Sequence, residues 1–182
     1  YLDDKIAWYE NQKDSQPQVQ IPENQWQQLT TACQPPASTN TVADIFSDDV
    51  TGTYGTHWGI FLYNQITGGY DAPALTDPLV QGVGFWFIHL NAENDPIILD
   101  MPPGCLDTPV TTPAACPSTN GCYEIALDNT PGQISWNMIG YPFRQELDWT
   151  KLTVVDDNKC LGGCTINDAE EKDVFHNDGW HY

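Results

Sequence analysis

His57-Trp58-Gly59-Ile60-Phe61-Leu62-Tyr63-Asn64, the turn cluster Ile66-Thr67-Gly68-Gly69, and the apolar run Gly82-Val83-Gly84-Phe85-Trp86-Phe87-Ile88 decide the fold class of this chain. Each run is short, dense in aromatic and β-branched side chains, and bounded by residues that turn the backbone, which is the pattern of strands. Working outward, similar bursts occupy residues 5–11 (KIAWYEN), 25–31 (QWQQLTT), 96–101 (PIILDM), 122–127 (CYEIAL), 134–141 (ISWNMIGY) and 151–156 (KLTVVD). Turn clusters separate them at Asn94-Asp95-Pro96, Pro102-Pro103-Gly104 and Asn129-Thr130-Pro131-Gly132. Fourteen Gly and fourteen Pro spread this way break any long helix. Two short segments, 41–46 and 168–175, have helical character, the first placing Val42, Ile45 and Phe46 on one face. The expected fold is all-β and β-sandwich-like, with one or two short helices.

The chain has 182 residues, enough for a real core, and 40% are hydrophobic, including 7 Trp, 8 Tyr and 6 Phe, too many large apolar groups for an acidic disordered tail. Its charge is lopsided: 25 Asp and Glu against 6 Lys and Arg give a formal net charge of -19. Nucleic acid is excluded as a natural partner, because that binding rests on clustered cations neutralising phosphates, and an anionic membrane surface is disfavoured for the same reason. No run approaches the roughly 18 to 20 apolar residues of a membrane span, so membrane insertion is not expected. Tyr1-Leu2-Asp3-Asp4-Lys5 lacks a basic-then-apolar leader, which predicts a processed chain or a piece of a longer one.

Six cysteines form an even set, Cys33, Cys105, Cys116, Cys122, Cys160 and Cys164, four of them in the tight pairs CPSTNGC and CLGGC. Zinc is the rival to disulfides, but zinc ribbons use CxxC knuckles, and these pairs have five and three intervening residues. The expectation is of disulfides Cys116–Cys122 and Cys160–Cys164, with Cys33–Cys105 as the remaining pair, in a secreted or cell-surface protein.

A weak repeat suggests two halves, about 21–103 and 122–182, preceded by an N-terminal strand and tether at 1–20. Trp26, Pro35, Ile45-Phe46 and Trp58 are matched in order by Trp136, Pro142-Phe143, the segment 149–155 and Trp180. The first half continues into the apolar run at 82–88 without a counterpart in the second, which predicts a bare sheet edge. The strand at 5–10 is the expected partner for that edge, within the chain or by self-association with a neighbouring copy.

Ser135-Trp136-Asn137-Met138-Ile139-Gly140-Tyr141-Pro142-Phe143, with Leu147-Asp148-Trp149, resembles a "WN-x-I/V-G-x-P-F/Y" motif of secreted and cell-surface bacterial β-sandwich modules. WQQLTTACQPP, TVADIF, YGTHW and QGVGFWF resemble the matching part of such modules, so the similarity spans about residues 21–182. It implies an extracellular accessory module, usually non-catalytic. Residues 2–11, LDDKIAWYEN, resemble the closing strand of an FG-GAP (VCBS) propeller repeat without its calcium loop, which implies a place downstream of a propeller.

Signatures of common chemistry are missing: the sequence has no GxSxG, HExxH, Walker loop or strand-to-helix GxGxxG. A glycan hydrolase needs two carboxylates, and Glu93 with Asp95 and Glu146 with Asp148 are the nearest pairs, against the plainer reading of solvated turn residues. Four histidines, His57, His89, His176 and His181, are potential metal ligands, the last two flanking a turn near Asp173. The calcium candidates are Asp44, Asp48 and Asp49 around Ser47, and Asp156, Asp157 and Asn158; neither loop has EF-hand spacing, and plain acidic loops are the alternative. For carbohydrate, Tyr54, His57, Trp58, Trp180 and Tyr182 stand near strand entries where a ring is expected to be half exposed, whereas Trp86 and Trp136 read as core. The expected function is binding of a polysaccharide or other surface ligand, with a structural surface subunit or a glycan hydrolase as alternatives.

Overall fold

The computed structural model describes residues 18–100, 102, 104–127, 136–143 and 148–174. The strand expected at 5–11, Glu146, His176, Trp180, His181 and Tyr182 lie outside the described residues. Within them the fold is all-β as expected: antiparallel strands with two short helices, none long and apolar enough to cross a membrane. The chain divides into two compact units, Tyr1–Thr108 with Ile125–Arg144, and Pro109–Glu124 with Gln145–Tyr182. These boundaries differ from the expected halves, because residues 125–144 belong with the first unit.

In unit 1, β1 (Val19–Ile21) pairs with β6 (Ile97–Leu99), and β2 (Gln27–Leu29), β3 (Trp58–Asn64), β4 (Gly69–Asp71) and β5 (Phe85–His89) form an antiparallel sheet in the order β2-β5-β3-β4. The register Ile60↔Phe87 and Phe61↔Trp86 sorts the side chains. With alternation along each strand, Trp58, Ile60, Phe85 and Phe87 point to one face and are buried there, while Phe61, Tyr63 and Trp86 take the other. The ribbon adds Ile21, Ile97 and Leu99 to the same core, and α1 (Val42–Phe46) adds Val42, Ile45 and Phe46. Phe46 sits at the centre, its ring 5.4 Å from Phe87, 5.8 Å from Trp58 and 5.9 Å from Phe85.

The helix is one turn and a little more, too short to persist on propensity alone. Thr41 caps it: its hydroxyl accepts from the Asp44 N–H at 3.2 Å while the Asp44 carboxylate accepts from the Thr41 N–H at 3.2 Å, a reciprocal pairing that satisfies two helix-start donors. Between β3 and β4 the chain reverses through Gly68, whose φ of 66 is the left-handed conformation glycine adopts without strain, and its N–H bonds Asn64 O at 2.9 Å. The Cys33–Cys105 disulfide ties the segment after β2 to the segment after β6 across 72 positions, beside the Gln34↔Leu106 bridge.

Unit 2 is built on β7 (Thr153–Asp156) and β8 (Cys160–Thr165), an antiparallel hairpin followed by α2 (Ile166–Glu171). Its small core is Cys160, Cys164 and Ala169 with Val154 and Val174 against them. Disulfides Cys116–Cys122 and Cys160–Cys164 close two short loops, as the spacing predicts, with Cα separations of 5.8 and 5.4 Å. The second helix begins at Ile166 rather than 168, because the Thr165 hydroxyl accepts from the Asp168 N–H and starts it earlier.

Two expected strands are not regular ones. In 122–127 Cys122 alone is bridged, to Thr111, and in the described part of 134–141 Ile139 alone is bridged, to Val83. The second of these lies against the Gly82-Val83-Gly84 end of the sheet and builds the feature described next.

Candidate ligand-binding groove

The segment 136–143 is fixed residue by residue. Gly84 N–H donates to Met138 O and Gly140 N–H to Gly82 O, both at 2.9 Å, on either side of the Val83↔Ile139 bridge. Gly140 passes so close to Thr30 that an added Cβ would lie 2.1 Å from the Thr30 Cβ. Pro142 O then accepts from Gln81 Nε2 at 3.0 Å and from the Thr108 hydroxyl at 2.5 Å, which pins the end of the segment. At its start, Asn137 Oδ1 accepts from Gln65 Nε2 at 2.8 Å.

This attachment leaves an open groove of about 550 Å³ between the start of the segment and the β3–β4 hairpin, all within unit 1. Tyr63, Asn64, Gln65, Asp71, Asp77, Trp136 and Asn137 line it, over an apolar floor that includes Leu62, Val83 and Ile139. Trp136 is 51% exposed, and Tyr63 pairs edge-on with the half-exposed Tyr70 at 5.5 Å. Asn64 Nδ2 donates to one Asp71 oxygen at 2.5 Å, and one Asp77 oxygen accepts from Ala74 N–H at 2.8 Å. Asn64 Oδ1 accepts from the Ile66 and Thr67 N–H groups, which leaves its second Nδ2 hydrogen. With a flat indole that has a polar edge, the Gln65 and Asn137 carboxamides and two carboxylates, the lining can stack on an apolar ring face and hydrogen-bond hydroxyls around it.

Farther along the same outer face of the sheet, Trp26 meets Phe61 edge-on at 5.3 Å and is 53% exposed. The ring of Phe61 overlies Gly59, where an added Cβ would approach it to 3.2 Å.

Of the residues singled out for carbohydrate stacking, Tyr54, His57 and Trp58 lie away from this groove and are engaged structurally. Trp58 corrects the expectation of a half-exposed ring: it is 4% exposed, because the alternation of β3 turns it inward against Phe46 and Phe87. Tyr54 packs edge-on against Trp58 at 4.7 Å and donates its hydroxyl to Pro73 O at 2.8 Å; this burial pushes the phenol above its ordinary range. His57 folds over Gly52 and accepts the Thr53 N–H on Nδ1 at 2.9 Å, so its ring closes a turn. Trp86 and Trp136 are corrected in the other direction: Trp86 is half-buried on the outer face, and Trp136, read as core, is exposed at the groove. Alternation with the polar Ser135 and Asn137 reads Trp136 as inward, so the sequence held no signal of its exposure. The contact between Gln65 and Asn137, 72 positions apart, has no local signature.

Among the described residues no three His, Cys, Asp or Glu side chains converge as a metal cluster. Asp44 is occupied by the Thr41 cap and Asp48 is exposed. Asp49 accepts the Asp100 N–H at 2.8 Å, and partial burial holds its carboxyl above the usual range, helped by the charges of Asp100 and Asp48 and opposed by that hydrogen bond. Asp156 accepts from the Lys159 and Asn158 N–H groups at 2.7 and 2.9 Å, which hold it below the usual range, and Asp157 and Asn158 are exposed beside it. Of the carboxylates weighed for hydrolysis, Glu93 is exposed, Asp95 accepts the Glu23 N–H at 2.6 Å, and Asp148 is tied to Thr150 and Lys151. His89 is fully buried, its Nε2 2.8 Å from Ile21 O and 3.9 Å from Asp95, and it joins β5 to β1.

No protein-family model matches this chain, and neither the curated proteins nor the solved structures provide a match. Fold and site together define a disulfide-stapled all-β protein with an aromatic- and amide-lined groove on its first unit.

Proposed function

We propose that this chain is an extracellular, non-catalytic binding module whose ligand is a carbohydrate held in the groove of unit 1. The observation that carries the reading is Trp136, a half-exposed indole beside Tyr63 and the Asn64, Gln65 and Asn137 carboxamides. Sugar rings present an apolar face and a rim of hydroxyls, and this lining offers a complement to both. The three disulfides support an oxidising compartment, and the likeness of residues 135–143 to the secreted bacterial module motif points the same way.

In this reading the motif residues are scaffold as well as surface. Ile139, Gly140 and Pro142 anchor the segment, and the anchoring sets Trp136 and Asn137 at the groove. A glycan array followed by titration of the best oligosaccharide tests it. Trp136→Ala is expected to weaken binding by roughly two- to tenfold, the scale of one aromatic contact, without altering the melting temperature. Binding that is indifferent to Trp136, or absent from every glycan class, refutes the reading.

A further inference from the structure

The charges of unit 1 narrow the ligand class, an inference that rests on the glycan reading of the groove. The six Lys and Arg side chains of the chain are Lys5, Lys13, Arg144, Lys151, Lys159 and Lys172. Each lies either in unit 2 or outside the described residues, so the described part of unit 1 contains no Lys or Arg. The groove repeats this bias: among the described residues its lining has Asp71 and Asp77, and no Lys, Arg or His.

Each carboxylate gives one oxygen to a neighbour, Asp71 to the Asn64 amide and Asp77 to the Ala74 N–H; both donors are neutral, and among the described residues of unit 1 no Lys or Arg offsets the two charges. A cleft lined by one sign of charge concentrates ligands of the other sign and repels those of its own. Sulfated and uronic-acid glycans are therefore disfavoured here, and neutral glycans gain nothing from the carboxylates beyond hydrogen bonds.

We propose that the groove selects glycans bearing free amines, hexosamine chains without their acetyl groups, with the ammonium beside Asp71 and Asp77 and a sugar face on Trp136. A basic peptide would share the charge, but the Asn64, Gln65 and Asn137 carboxamides suit the dense hydroxyl rim of a sugar.

The test uses the full chain and titrates four probes by calorimetry: a glucosamine hexamer, its fully N-acetylated counterpart, a cellulose-derived hexamer and an oligolysine peptide. The glucosamine hexamer is expected to bind most tightly at a pH where its amines are protonated. Its advantage should shrink with added salt and vanish at a pH where the amines are neutral and the carboxylates still charged. Asp71→Asn and Asp77→Asn should each cost roughly two- to fivefold for the glucosamine hexamer, the scale of an exposed ion pair, and little for the neutral ones. The asparagines keep an acceptor for the Asn64 and Ala74 donors, and an unchanged melting temperature shows that they fold. Equal binding of acetylated and free-amine hexamers, still lost in Trp136→Ala, overturns the amine selectivity and leaves the glycan reading standing. Oligolysine binding with no hexosamine binding overturns the amine-glycan proposal, as does binding of none of the four; the glycan reading falls with it only if the glycan array is blank as well.

Discussion

Replacing Gly140 by alanine tests the architecture of the groove at its tightest point. A Cβ there would lie 2.1 Å from Thr30 Cβ, 2.2 Å from Oγ1 and 2.7 Å from Cγ2, against an ordinary closest contact near 3.4 Å. The shortfall is about 1.3 Å toward an atom attached directly to the backbone, so no rotamer change relieves it. The segment or the end of β2 must move, and the Gly140 N–H to Gly82 O bond is strained with it. Overpacking costs about 1–3 kcal/mol and a weakened hydrogen bond adds about 1, so the expected loss is about 3 kcal/mol. For a chain of this size that lowers the melting temperature by roughly 6–12 °C. Differential scanning calorimetry measures it, with Gly69→Ala as control, where the nearest atom to the new Cβ is Thr67 Oγ1 at 3.7 Å. Thr30→Gly removes all three clashing atoms. The double variant should be more stable than the two single losses added together, by at least about 1 kcal/mol of coupling. A Gly140→Ala protein that melts within about a degree of the parent, or a strictly additive double variant, refutes the close approach and the placement of Trp136 that depends on it.

Asp49→Asn should be at least as stable as the parent near neutrality, because it removes a charge that partial burial and the Asp100 and Asp48 carboxylates disfavour. With the folded-state pKa raised, the folded form takes up its proton first, so the parent gains stability as pH falls through that pKa; melting curves across roughly pH 4–7 should show the gain in the parent and not in the variant. Asp156 has the opposite sign: its contribution is present above the unfolded carboxylate pKa and is lost as pH falls through the lowered folded one, so Asp156→Ala should flatten the acid limb of unit 2 unfolding. Removing the Cys33–Cys105 bridge by Cys-to-Ser changes at both ends should cost about 4 kcal/mol and removing either short bridge about 2, in the loop-entropy description, as read by denaturant unfolding. Calcium should raise the melting temperature no more than sodium chloride of equal ionic strength, since Asp44, Asp49 and Asp156 already accept backbone N–H groups; a larger shift would show that these loops rearrange around the ion.

The strands at 57–64 and 82–90 were legible because alternation and burial agree there: Trp58, Ile60, Phe85 and Phe87 are inward, and they are buried. The short disulfides were legible because closing a small loop demands little of the rest of the chain. Residues 134–141 misled because an apolar, aromatic run reads as a ladder strand, whereas Ile139 makes one bridge and Gly140 serves a close approach to Thr30. Trp58 misled for a related reason: proximity to a strand entry says nothing about which face the ring takes, and the parity of β3 turns Trp58 inward. The groove was not legible at all, since Gln65 and Asn137 meet only after the chain has left unit 1 and come back.

That return sets an order on synthesis. A chain emerging from its N-terminus can form the four-stranded sheet and the Cys33–Cys105 bridge once residue 108 is out, yet the wall bearing Trp136 and Asn137 arrives only after the Cys116–Cys122 loop has been made. The groove therefore lacks one side for most of the chain's manufacture. It is finished late, and a polypeptide interrupted anywhere between residues 109 and 135 would carry the sheet without the residues 136–139 that make it a groove.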